Sequence, residues 1–133
     1  MSTRRNFLRS ILVSLLVLAP ISTWADSSRV DLFRFGNASS PRLDNVRTTD
    51  LSTTQRNGVL WVIRDSGGIS MFDGPKGQTK NVWKLPRGTQ IPAKLHLVND
   101  RDDHWSLMPA VDLTMEEYQA ALRNFGSSFV KQN

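Results

Sequence analysis

The chain has no cysteine, so it can form neither a disulfide nor a thiolate metal site. His96 and His104 are its only histidines, and no dense carboxylate cluster accompanies them. A dedicated metal site is therefore not expected. The only glutamates are the neighbours Glu116 and Glu117, so no two strand-borne glutamates can face each other across a site. No phosphate-binding glycine loop, no evident Ser-His-Asp order, no internal repeat and no low-complexity tract is present. Charge of one sign is also nearly lacking. The 133 residues carry 17 Lys and Arg against 12 Asp and Glu, a net of +5. Three of those cations, Arg4, Arg5 and Arg9, crowd the start, and without them the balance is 14 to 12, or +2. A nucleic-acid partner is not indicated by so small an excess.

Residues 1–25 read as a signal peptide. Arg4, Arg5 and Arg9 form a positive head, Ile11 to Ile21 an apolar run, and Thr23-Trp24-Ala25 places small residues where an export peptidase reads. The run is short for a transmembrane helix, which needs roughly 20 apolar residues, and Pro20 interrupts it, so no stable membrane span is expected after cleavage. Ser2-Thr3-Arg4-Arg5-Asn6-Phe7-Leu8-Arg9 resembles the twin-arginine export signal, which carries folded proteins; a general secretory signal is the alternative. Either way the protein is expected to be exported, to the periplasm or beyond. Residues 26–133 are then one small domain, with enough Trp, Phe, Val, Leu and Ile to form a core without staples.

Within that domain the organising stretch is Gly58 to Gly77. Val59 to Ile63 is β-branched and aromatic, Ser66-Gly67-Gly68 breaks it, Ile69 to Phe72 restarts it, and Asp73-Gly74-Pro75 ends it. Two glycines flanked by Ser66 and Ser70 suit either a tight corner or bulge in a sheet, or a close approach of backbone to a ligand. Upstream, Arg29 to Phe35 predicts a first strand with Val30, Leu32 and Arg34 on one face and Asp31, Phe33 and Phe35 on the other. Arg34, set among apolar residues, is either an edge residue reaching water or a buried guanidinium with a fixed anionic partner. Pro41 to Arg56 predicts a loop with one helical turn capped by Thr49 or Asp50, and Arg42 and Arg47 are surface charges or a basic rim.

Downstream, strands are expected at Asn81 to Leu85, at Gln90 to Val98 as an edge or bent strand, and at His104 to Met108, with a turn at Asn99 to Asp103. Thr114-Met115-Glu116-Glu117 is a capping-box signature, followed by Met115, Tyr118, Leu122 and Phe125 at helical spacing and Gly126 as a C-terminal cap. Spacing alone thus gives an α+β fold: a small, mostly antiparallel β-sheet domain with a C-terminal helix.

Five segments in order resemble a known toxin family, that of the second effector of the type VI secretion exported series, grouped by fold with ADP-ribosyltransferases. They are Leu32-Phe33-Arg34, Ser40-Pro41-Arg42-Leu43-Asp44-Asn45-Val46-Arg47, Ser66-Gly67-Gly68-Ile69-Ser70-Met71-Phe72-Asp73, Leu85-Pro86-Arg87-Gly88-Thr89-Gln90-Ile91-Pro92 and His104-Trp105-Ser106-Leu107-Met108-Pro109-Ala110. Together they span about Asp31 to Asn124. The resemblance implies NAD as substrate, an unknown acceptor for ADP-ribose and a cognate immunity protein as partner. It implies Arg34, Ser66, Gly67 and Gly68 as dinucleotide-binding positions, and Ser70 and His104 as catalytic ones. The chain departs from the enzyme pattern in one respect: no glutamate sits on a strand to stabilise the positive charge that develops on ribose as nicotinamide leaves. A non-catalytic exported binding module on the same fold is the competing reading. His104 as a plain exposed strand histidine belongs with it, and His96 has only that role.

Overall fold

A computed structural model describes residues 26–133; the expected signal peptide, over 1–25, lies outside the described residues. Among the described residues nine strands are formed: β1 (Leu32–Phe35), β2 (Thr53–Arg56), β3 (Val59–Val62), β4 (Ile69–Phe72), β5 (Val82–Leu85), β6 (Leu95–Arg101), β7 (His104–Pro109), β8 (Leu113–Thr114) and β9 (Val130–Lys131). The helix α1 (Met115–Phe125) lies between β8 and β9 and runs on into a 3-10 turn at Gly126–Ser128. Six strands make one sheet in the order β6-β7-β4-β1-β5-β9, and β2-β3-β8 make a second. Every strand pair is antiparallel. The mostly antiparallel α+β fold with its C-terminal helix is the one the spacing predicts.

Alternation along the strands gives the large sheet two unlike faces. Leu32, Met71, Leu85, Leu95 and Leu107 are buried on one face and share a core with Tyr118, Leu122 and Phe125 of α1. At roughly 1.5–3 kcal/mol for each large apolar side chain fully buried, this layer is the main source of stability. The register pairs Phe33 with Phe72 and Phe72 with His104, so these residues, with Phe35, Ser70 and Ser106, occupy the other face. Phe35 and Phe72 stack there with ring centroids 5.6 Å apart.

The helix begins as its sequence requires. The Thr114 hydroxyl accepts from the Glu117 amide at 3.0 Å, and the Glu117 carboxylate accepts from the Thr114 amide at 2.9 Å. Gly126 holds the C-cap position with an ordinary right-handed φ of −56°, because the chain tightens into the 3-10 turn instead of reversing.

Pro41 to Arg56 differs from expectation. It holds two turns, closed by the Asn45 amide on the Arg42 carbonyl at 3.3 Å and by the Asp50 amide on the Arg47 carbonyl at 3.0 Å, and its end, Thr53–Arg56, is a strand. The reason is local: Thr53 and Thr54 favour extended backbone, and Asn57-Gly58, with φ of +53° and +78°, forms the two-residue turn that fits a hairpin's twist. The strand expected over Gln90 to Val98 starts only at Leu95 and continues to Arg101, so the turn shrinks to Asp102 and Asp103. The Ser66-Gly67-Gly68 corner does not fold β3 back on β4; it carries the chain from the small sheet to the large one.

Candidate active site

The outer face of the large sheet concentrates the polar chemistry. Ser70 on β4 lies opposite Ser106 on β7, and His104 lies two residues along on the same face. His104 Nε2 is 3.0 Å from Ser70 Oγ, and His104 Nδ1 is 2.5 Å from Asp100 Oδ1. The other Asp100 oxygen accepts from the Ser106 hydroxyl at 2.9 Å. His104 is only 8% exposed, with the Phe72 ring edge-on to it at 5.4 Å, so it is not an exposed strand histidine. A Ser-His-Asp chain therefore exists in space, although no such order is evident along the sequence.

A bulge makes this chain possible. Asn99 pairs with Trp105 and Arg101 with His104, so Asp100 is an extra residue between two on the facing strand. Such a residue is freed from the ladder and its side chain re-aimed. Nothing in the sequence separates Asp100 from Asp102 and Asp103; the usable signal would have been a carboxylate four residues before a histidine across a tight hairpin. Burial works to raise the Asp100 pKa, but hydrogen bonds from His104 and Ser106 outweigh it and hold the carboxyl below its usual range.

Arg34 leaves β1 from the core face, so its side chain and that of Ser70 depart from opposite faces of the sheet. β1 and β4 are paired only at Phe33 and Phe72, and beyond that pair the guanidinium bridges the two strands. Nη1 donates to the Ser70 carbonyl at 3.0 Å, Nε to the Pro41 carbonyl at 3.2 Å and Nη2 to the Arg42 carbonyl at 3.1 Å. Arg34 is thus neither an edge residue reaching water nor one half of a buried ion pair: its fixed partners are carbonyls. Burial first, and the charge of Arg42 second, lower its pKa. Among the described residues three of its five N–H groups are engaged and two are not.

The corner residues serve the fold itself. The Ser66 hydroxyl donates to the Ile63 carbonyl at 2.7 Å and accepts from the Ser52 amide at 2.9 Å. Gly67, with φ of +138°, packs so that a Cβ would stand 2.0 Å from the Asp50 carbonyl oxygen. A Cβ on Gly68 would stand 2.1 Å from the Leu107 carbonyl oxygen and 2.9 Å from the Tyr118 hydroxyl. Backbone is approached closely at both glycines, and the approaching group is the protein's own chain. His96, the other histidine, bonds Asp65 at 2.8 Å on the strand at the sheet's edge.

Among the described residues no glutamate stands on the large sheet. Glu117 is spent in the capping box, Glu116 adjoins it, and the carboxylate nearest Ser70 and His104 in the hydrogen-bonded chain is Asp100. Arg47 pairs with Asp50 at the surface, and Arg42 lines a cleft of about 590 Å³ with Trp83 and Arg123, beside the carbonyls that hold Arg34.

Two antiparallel sheets with one C-terminal helix make this an α+β domain, an architecture consistent with the ADP-ribosyltransferase-like fold. A family model described as Tse2 ADP-ribosyltransferase toxin matches residues 27–133, and the chain belongs to that family. Among curated proteins none matches it.

Proposed function

We propose that this protein is a toxin that transfers ADP-ribose from NAD to an acceptor. The observation that carries the reading is the Ser70–His104 hydrogen bond between β4, which pairs with the Arg34 strand, and β7, in a chain that belongs to a toxin family. NAD is a substrate here. The two unengaged N–H groups of Arg34 suit one phosphate oxygen pair, since a planar guanidinium matches that geometry better than an ammonium does. Ser70 presents a hydroxyl to the nicotinamide ribose. His104 turns Nε2 to Ser70 and accepts a proton there as the acceptor attacks.

Export follows from the arginine-headed N-terminus, and a producer of a folded toxin needs an immunity partner. No helix among the described residues is long and apolar enough to cross a membrane.

Expression of residues 26–133 in a bacterial cytoplasm tests the reading, with Ser70→Ala and His104→Ala run beside wild type and each checked for folded, soluble protein. Growth arrest by wild type alone, with nicotinamide released from NAD in the purified sample, is the expected result. A folded wild-type protein that neither slows growth nor turns over NAD would instead be a binding module on this fold.

A further inference from the structure

The hydrogen-bond chain on the outer face fixes more than a contact. Asp100 is a carboxylate with a lowered pKa, so at neutral pH it can only accept. The His104 Nδ1 it touches at 2.5 Å must then bear the ring proton. A neutral imidazole protonated at Nδ1 has its lone pair on Nε2, and that atom faces the Ser70 hydroxyl at 3.0 Å. With the ring neutral, Ser70 is the donor and its oxygen lone pairs are left for something else. The Ser106 hydroxyl, 5% exposed residue and all, donates to the second Asp100 oxygen and so locks the carboxylate's rotation.

We propose that Asp100 is the positioning residue of the active site, holding His104 in the tautomer that lets it take the proton released in the transfer. This rests on the transferase reading above. In the step, the acceptor oxygen bonds to C1′ of the nicotinamide ribose, and the C1′–N bond breaks with its electron pair remaining on nicotinamide. The acceptor's proton moves to Ser70 as the Ser70 proton moves to Nε2. The imidazolium that results is offset by the Asp100 carboxylate. A carboxylate thus acts at the site without being a strand glutamate, at one remove, through the imidazole.

Ser106 also sets the test. In Asp100→Asn, the amide oxygen remains with the Ser106 hydroxyl and the amide nitrogen turns to Nδ1, where it donates. The ring proton must then sit on Nε2, facing Ser70, and the base is lost. The full-length protein with ¹⁵N-labelled histidine is compared with its Asp100→Asn variant by the ring-nitrogen shifts of His104, and both are assayed for nicotinamide release from NAD and for growth arrest. Wild type is expected to be protonated at Nδ1, the variant at Nε2, with release falling roughly 10²–10⁴-fold while the fold is retained. A wild-type ring protonated at Nε2 would overturn the proposal, as would a variant whose tautomer changes while release stays within about threefold of wild type. A wild-type ring protonated at Nδ1 in a protein that releases no nicotinamide defeats the transferase reading instead. Loss of growth arrest in Asp100→Asn would then keep the relay for another chemistry, and its retention would end it.

Discussion

Arg34 illustrates how one side chain can be proposed for a site and still be tied into the fold. Its guanidinium satisfies the carbonyls of Pro41, Arg42 and Ser70, and the Pro41 and Ser70 bonds are partly shielded from water. Arg34→Ala strands these acceptors, so urea denaturation should show a loss of about 2–4 kcal/mol. Lost toxicity in that variant consequently reports on the fold as much as on NAD, whereas Ser70→Ala removes one exposed-side hydroxyl and leaves the carbonyl in place. Gly68 is the second residue with no latitude. A Cβ 2.1 Å from the Leu107 carbonyl oxygen cannot be accommodated without moving backbone, and Gly68→Ala is expected to leave little soluble protein in an expression test. In the sequence Gly67 and Gly68 suit a corner first and a ligand second, because a Cβ is excluded in the same way by a strand or by a nicotinamide.

Elements differ in how openly the chain announces them. The capping box at Thr114 is stated by four consecutive residues and is present atom for atom. Thr114→Ala should cost about 1 kcal/mol, visible as a lower thermal midpoint with unchanged far-ultraviolet dichroism. β2 is concealed by its polar composition, Thr-Thr-Gln-Arg, and only the Asn57-Gly58 turn betrays it. The bulge at Asp100 is illegible, since an extra residue in a ladder depends on how β6 meets β7 and not on either strand alone. So Ser70 and His104 can be found from motif positions, while the carboxylate that orients them cannot.

Across the molecule, acidic groups hold the parts together. Asp112 accepts from the Arg64 amide and pairs with Arg56 at 3.0 Å, tying the β2–β3 hairpin to the segment before β8. The Arg64 amide bond first, and then Arg56, depress the Asp112 pKa; Lys76 does the same to Asp103, and the Thr114 amide to Glu117. A carboxyl depressed in the folded state adds stability above its unfolded value, near 4, and that contribution disappears as pH falls through the folded value. The thermal midpoint is therefore expected to hold from neutral pH to about 5 and to drop below about 4, and Asp112→Asn should lower the neutral-pH plateau and flatten the drop.

The strand order has one more consequence, which concerns the ribosome. β1 is translated before any other strand, yet it ends up in the interior of the large sheet between β4 and β5, which begin only at Ile69 and Val82. Leu32, Phe33 and Phe35 therefore wait, unpartnered and apolar, through most of synthesis. The core that Leu32 joins is sealed last by α1 and β9, so pairing that spans such sequence distances completes only when the chain is nearly finished. A nascent chain cannot bring Ser70 to His104 or fill its core early. A cell making this protein meets an aggregation-prone polypeptide first and the folded domain only at the end.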